Sequence, residues 1–152
     1  MKHETTLVLP GGDWTVIIED DELISCRHGA SSQGLPAVPG NHPILRALRA
    51  YAGGDLLALD EIPVAQPGGE FHTAVREAMR RIPPGRTVSY SELAAMAGRP
   101  AAARAAAGAC ARNRVAVVVP CHRVIRGDGG LGGYAHGLEV KQALLDFERR
   151  HA

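Results

Sequence analysis

The sequence predicts an α+β fold: a small N-terminal mixed β/α lobe followed by a mainly helical C-terminal lobe. Alternating apolar residues broken by turn signals fill the first 30 positions. Beyond position 70 the apolar residues recur instead at helical spacing. Between two helical stretches an unbroken apolar run, Val115-Ala116-Val117-Val118-Val119, ends abruptly on Pro120-Cys121-His122-Arg123. At 152 residues the chain suits one domain or two small lobes and can bury a real core. The expected division is 1–67 as a supporting lobe and 68–152 as the lobe that carries function.

In the first lobe, strands are expected near Thr5–Leu9, Trp14–Glu19 and Leu23–Arg27. Pro10-Gly11-Gly12 and Asp20-Asp21 supply the turns between them. A Gly-, Pro- and Ser-rich loop spans Gly29–Gly40. A helix follows from Pro43 to Ala52, with Ile44, Leu48 and Tyr51 on one face and Gly53-Gly54 to end it. A further strand is expected near Leu57–Val64, then the linker Gln66-Pro67-Gly68-Gly69. Nothing in this lobe reads as catalytic.

The second lobe opens with an amphipathic helix bearing Phe71, Val75, Ala78, Met79 and Ile82, stopped by Pro83-Pro84-Gly85. Ser89-Tyr90-Ser91-Glu92 is a capping box that starts another helix, to about Ala97. Gly98-Arg99-Pro100 turns the chain into an alanine-rich helix from Ala101 to about Arg112. Helix, glycine turn, helix is the helix-turn-helix pattern. The side chains of the second helix are too small to read bases in a major groove. A helix with side chains is about 10–12 Å across, while the minor groove is about 6 Å wide. Only a helix stripped to Ala and Gly, as in Ala105-Ala106-Ala107-Gly108-Ala109, could press against that groove. Composition fits equally well a core helix packed through small residues. A last helix runs from about Leu138 to Arg150, with Glu148 in line with Val140 and Leu144. A carboxylate on that stripe needs a partner, because burying it alone is expensive.

The apolar run 115–119 reads as a short, fully buried strand that Pro120 terminates. A cysteine and a histidine thus arrive together at the edge of the core. A thiol attacks well only as thiolate, and a free pKa of about 8.5 leaves little of it at neutral pH. A nearby base or cation corrects that. Neighbours in sequence tend to point apart, so adjacency alone does not make a dyad.

Composition narrows the rest. No apolar segment approaches the roughly 20 residues of a membrane span. The N-terminus lacks a signal-peptide pattern, so an intracellular, cytoplasmic setting is expected. Cys26, Cys110 and Cys121 are odd in number and widely spaced, which argues against a disulfide framework or a zinc site. The net charge of +1 hides an asymmetry. Residues 1–70 carry four Lys/Arg against ten Asp/Glu, and residues 71–152 carry thirteen against six. The second lobe, at +7, could meet a polyanion.

The second lobe resembles one family closely, the O6-alkylguanine-DNA alkyltransferases, also called methylated-DNA–protein-cysteine methyltransferases. The residues that carry the resemblance are Phe71-His72-Thr73-Ala74-Val75, Ile82 through Tyr90, Glu92-Leu93-Ala94 and Ala103-Arg104-Ala105. Asn113, the PCHRVI run, Gly133-Tyr134, Gly137-Leu138, Lys141 and Leu144 through Glu148 continue it in the family's order and spacing. About the last 82 residues are covered, and the first 70 match loosely.

The resemblance implies stoichiometric, irreversible transfer of an alkyl group from O6-alkylguanine in DNA to Cys121, and leaves activity on O4-alkylthymine open. It implies catalytic roles for Cys121, His122, Glu148, Tyr90 and Asn113. Glu148 would orient His122, His122 would draw the proton from Cys121 through a water, Tyr90 would bond the base, and Asn113 would hold the active-site turn. The helix with Arg104, Ala105 and Gly108 would meet double-stranded DNA from the minor groove, with Arg104 filling the place of the extruded base. Tyr134 and Ala135 would line the base pocket, and the carbonyls of Cys121 and Val124 would accept the exocyclic amine. No cofactor, no metal and a monomer are expected. The sequence departs from the family pattern where Arg112 and Arg114 flank Asn113 in place of a small residue and a proline. It departs again where Arg76 replaces a common tryptophan, His72 a glutamine and Ala135 a serine. A damage sensor that binds lesions without repair and a helix-turn-helix regulator are the alternatives. Cys121 speaks against the first, and the alanine-rich helix against base-specific readout in the second.

Overall fold

The computed structural model describes residues 1–152. Strands β1 (Lys2–Leu9), β2 (Gly12–Glu19) and β3 (Glu22–His28) form an antiparallel meander in that order. The β2–β3 turn places Asp20 and Asp21 at φ 52° and 62°, the left-handed pair that a tight hairpin turn requires. In β2 the run Trp14 through Ile18 is buried on both faces: Trp14, Val16 and Ile18 join the core, while on the other face the Thr15 hydroxyl bonds the loop at Gly29 and Ser31.

Helix α1 (Pro43–Ala52) has the expected bounds, with the His42 ring accepting from the Ile44 amide and Pro43 in the first turn. The next segment differs from expectation. Leu56–Glu61 is a 3₁₀ helix, not a strand, and only Val64 bridges to Leu23 of β3. The buried residues Leu56, Leu59 and Ile62 recur every third position, the period at which 3₁₀ side chains eclipse.

Helix α2 (Glu70–Arg80) leads to β4 (Val88–Ser89) and α3 (Tyr90–Met96). The capping box forms as expected: the Ser89 hydroxyl accepts from the Glu92 amide, and the Glu92 carboxylate accepts from the Ser89 amide. Helix α4 (Ala103–Ala111) packs on α3 and α2. Ala106 and Ala109 are buried, while Arg104, Ala105 and Ala111 face outward, with Gly108 half-buried among them. The small residues therefore serve both purposes, close packing inward and a bare face outward. Strand β5 (Val124–Ile125) pairs in parallel with β4, and α5 (Leu138–His151) closes the chain.

The run 115–119 is buried, but it is a turn rather than a strand. Val115 alone bridges to Cys26; the Val119 amide then reaches back to the Val115 carbonyl and the Val118 amide to Ala116. Val117 adopts φ 71°, a conformation that costs a β-branched residue on the order of 1–3 kcal/mol. Burial of its apolar neighbours holds it there, together with the bonds from the Cys26 amide to the Arg114 carbonyl and from the Ala116 amide to the Cys26 carbonyl. The consequence is positional, because the exposed edge of β3 is covered by the segment that leads to Cys121. One continuous core joins Trp14 and Leu48 to Val75, Leu93, Val117 and Leu144.

Candidate active site

The motif Cys121–Arg123 is a single 3₁₀ turn, followed at once by β5. This turn sends adjacent side chains to different tasks. Cys121 is 8% exposed and lies on the wall of a cavity of about 400 Å3. Tyr90, Asn113, Tyr134 and Ala135 line the same cavity, as does Cys110. His122 and Arg123 turn the other way, into the core.

There they meet Glu148, which α5 delivers fully buried beside Leu144 and Leu145. The His122 Nε2 atom lies 2.9 Å from Glu148 Oε2. Arg123 grips the same carboxylate with two prongs, Nε to Oε1 and a terminal nitrogen to Oε2, both at 2.9 Å, and donates to the Ile82 carbonyl at 2.7 Å. Tyr51 of α1 donates its hydroxyl to Oε2 at 2.7 Å. A buried carboxylate so surrounded stays ionised. Burial alone would raise its pKa, but His122 and Arg123 outweigh that and hold it well below the usual carboxylate range.

The electrostatics fix the proton inventory. Burial pushes His122 down despite the Glu148 carboxylate, so the imidazole is neutral. With Nε2–H spent on Glu148, Nδ1 is the lone-pair nitrogen, and it has no hydrogen-bond partner within the protein. Burial also pushes the Cys121 thiol up, opposed by Asn113 and Lys141. The resting state is thus thiol plus imidazole rather than an ion pair.

Asn113 is the hub of the turn. Its amide nitrogen donates to the Val119 carbonyl at 2.8 Å and approaches Cys121 Sγ at 3.3 Å. Its oxygen accepts from Val115 and from Gln66 Nε2, while Gln66 Oε1 accepts from the Arg114 amide. Lys141, buried on α5, donates to the carbonyls of Val124, Leu131 and Gly133 and so pins the loop that forms the outer cavity wall. Burial pushes Tyr134 well up, and its buried hydroxyl lacks a partner. Tyr90 is pushed up, chiefly by burial.

The expected residues therefore fall into three groups. Cys121, Asn113, Tyr90, Tyr134 and Ala135 share the cavity, while His122 and Glu148 pair with each other in the core. Arg104, Ala105 and Gly108 lie outside the cavity on the outer face of α4. Val124 is fully buried, does not line the cavity, and its carbonyl already accepts from Lys141. Cys110 also lines the cavity; its thiol is pushed up to about 12 by burial and rests 3.7 Å from Met79 Sδ. Tyr51, Gln66, Arg123 and Lys141 were not assigned tasks by sequence reading.

A helix-turn-helix with a bare outer face thus stands beside a cavity lined by Cys121, and His122, the next residue, is paired in the core with a buried glutamate. Residues 70–150 match the family described as 6-O-methylguanine DNA methyltransferase, DNA binding domain, and the chain belongs to that family. It is 49% identical over 105 residues to a methylated-DNA–protein-cysteine methyltransferase of Mycolicibacterium paratuberculosis, covering 69% of this chain and 63% of that protein. A protein of the same description from Methanosarcina acetivorans is 46% identical over 103 residues, covering 68% of this chain and 65% of its own length. These alignments span somewhat less than two thirds of either relative. Among solved structures, the Mycobacterium tuberculosis O6-methylguanine methyltransferase superposes with a TM-score of 0.85 at 34% identity, over 100% of this chain and 95% of that one. A second crystal structure, of Mycobacterium tuberculosis OGT in complex with DNA, matches at 0.82 and 33% identity, over 99% and 94% of the two chains. No helix is long and apolar enough to cross a membrane.

Proposed function

We propose that this protein repairs alkylated DNA by moving the alkyl group of O6-alkylguanine onto its own Cys121, once per molecule. The observation that carries the reading is the Glu148–His122 hydrogen bond, with His122 Nδ1 left without a protein partner, in the residue that directly follows a cavity-lining thiol. Duplex DNA lies along the outer face of α4, through Arg104, Ala105 and Gly108, and the damaged base swings into the cavity between Cys121 and Tyr134. Arg104, exposed and in no salt bridge, fills the place the base leaves.

His122 Nδ1 draws the thiol proton through a water while the sulfur attacks the alkyl carbon in line. The S–C bond forms as the C–O6 bond breaks, and the electron pair leaves with the guanine. The proton taken from the thiol is returned to the departing base, where Tyr90 bonds it, so the product is ordinary guanine and a thioether. No cofactor enters the balance, because the lesion supplies the alkyl group and the thiol supplies the proton. The thioether has no route back to thiol in this site. Residues 1–67 support the reaction and 68–152 perform it, as a monomer, inside the cell where the DNA lies.

Intact-mass analysis after incubation with an O6-methylguanine duplex tests the reading. One methyl adduct per chain, mapped to Cys121, is expected. Multiple turnover, or a Cys121→Ser variant that still removes methyl groups, would defeat it.

A further inference from the structure

On the surface near the Asn113 turn lies a second cleft, of about 430 Å3, lined by Pro67, Gly68, His72, Arg76, Arg112 and Arg114. No carboxylate lines it, and none of its three arginines forms a salt bridge. They arrive from separate elements: Arg76 from α2, Arg112 from the C-cap of α4, and Arg114 from the residue after Asn113. Arg76 Nε is buried without a hydrogen-bond partner, and one terminal nitrogen reaches only the Gln66 carbonyl, at 3.5 Å. Burial lowers the proton affinity of Arg76, and the Arg114 charge lowers it further. Like charges gathered without a counter-charge cost stability, and an oxyanion in the cleft would reverse the sign of that term. Guanidinium forks match phosphate oxygens in shape as well as charge.

Position selects the phosphate. An Arg112 nitrogen lies 3.4 Å from the Gly108 carbonyl, so its head group rests against the helix whose outer face also carries Arg104 and Ala105. At 1.5 Å per residue, Arg112 stands roughly 12 Å along the axis from Arg104. That is about three to four base-pair steps of 3.4 Å.

We propose that this cleft binds a backbone phosphodiester of the duplex, three or four base-pair steps from the nucleotide that Arg104 faces. The proposal rests on the reading that DNA lies along α4. It assigns the cleft the anchoring of undamaged flanking strand, not recognition of the lesion.

The test is a salt series on an undamaged duplex, with wild type, R112Q/R114Q and R112K/R114K. Both arginines are exposed, and the Arg114 backbone bond to Gln66 survives either change. The Gln pair should flatten the slope of log affinity against log salt by about 0.9 for each phosphate it no longer neutralises, or roughly eightfold in affinity at 0.1 M salt. The Lys pair keeps the charges and should keep the slope. A Gln pair with the wild-type slope, or a Lys pair as impaired as the Gln pair, would overturn the proposal. So would inorganic phosphate, at matched ionic strength, raising the Tm of wild type alone while the duplex slopes stay equal. Alkylation of wild-type Cys121 by free O6-benzylguanine is followed in parallel. Its absence would defeat the alkyl-transfer reading and leave the slope comparison standing, whereas equal slopes with normal alkylation would defeat the cleft alone. Failure of wild type to bind duplex at all would overturn both.

Discussion

Tyr51 donates a 2.7 Å hydrogen bond to Glu148 Oε2, the oxygen that also faces His122, across 97 residues of sequence. The bond ties the N-terminal segment to the carboxylate that holds His122, the base of the proposed reaction. It makes Tyr51 a positioning residue acting through Glu148, in a lobe whose sequence shows no catalytic signal. Tyr51 has no other use for its hydroxyl, and its ring is fully buried against Phe147. A hydrogen bond to a charged group contributes about 1.5–3 kcal/mol.

Tyr51→Phe keeps the ring and removes the donor. Glu148 then carries more of its charge toward His122, and the imidazolium form gains stability. The carboxylate, no longer tethered from α1, holds His122 less firmly, and that loss of alignment outweighs the gain in basicity, so alkylation of Cys121 by free O6-benzylguanine should slow by roughly three- to tenfold, about 1 kcal/mol in barrier. Its acid limb should move toward neutral pH. A lower Tm with an unchanged rate and pH profile would reduce Tyr51 to a packing residue.

The wild-type pH profile follows from the two shifts in the site. His122 is held below its ordinary value of about 6.5, and Cys121 above the usual thiol range. Between those limits the thiol–imidazole pair keeps one protonation state, so the rate should be flat. Alkylation rates measured from about pH 6.5 to 9 should vary little, with a fall only on the acid side and a rise only beyond the alkaline end. A tenfold rise per pH unit through neutrality would mean that a free thiolate attacks without His122.

What the sequence made legible was local. The Ser89–Glu92 box, the bounds of α1 and the place of Glu148 on the apolar stripe of α5 all follow from spacing alone. So did the prospect that a buried Glu148 must find partners. The backbone of 115–119 did not follow, because five consecutive apolar residues carry no period, and burial is common to strand and turn. Residues 56–61 went astray for a related reason, since three leucines and an alanine fit several local conformations equally well. Gln66 sat in a linker, and Tyr51 read as one more apolar position on α1; each acquires its task from a partner 47 or 97 residues away.

Arg104 separates extrusion of the base from chemistry. It projects from a helix of Ala and Gly and has no partner in the protein. Arg104→Ala should slow repair of an O6-methylguanine duplex at least tenfold, because unstacking costs a few kcal/mol and the finger recovers part of it. The free base needs no unstacking, so most of the rate toward O6-benzylguanine should persist. Equal losses on both substrates would refute the finger.

In the proposed reaction Glu148 orients His122, in the fold it anchors Arg123, and stability measurements separate the two. Removing its charge strands Arg123, which is 4% exposed and donates two of its bonds to that carboxylate. Breaking a buried pair of this kind costs about 3–5 kcal/mol. Glu148→Gln should therefore lower the urea midpoint at neutral pH as well as the alkylation rate, and rates should be compared only where both proteins are folded. The pH dependence supplies the control. Glu148 has a lower pKa folded than unfolded, so as the pH falls the unfolded chain takes up this proton first. Its stabilising effect is whole above about pH 5 and is lost progressively as the pH drops below the ordinary glutamate value of about 4.3. Glutamine cannot titrate, so the variant should start less stable and lose less between pH 6 and pH 3.5. Urea midpoints for the two proteins should converge across that interval. Parallel curves would mean that the carboxylate is not held ionised by His122 and Arg123, and the orienting role would fall with it.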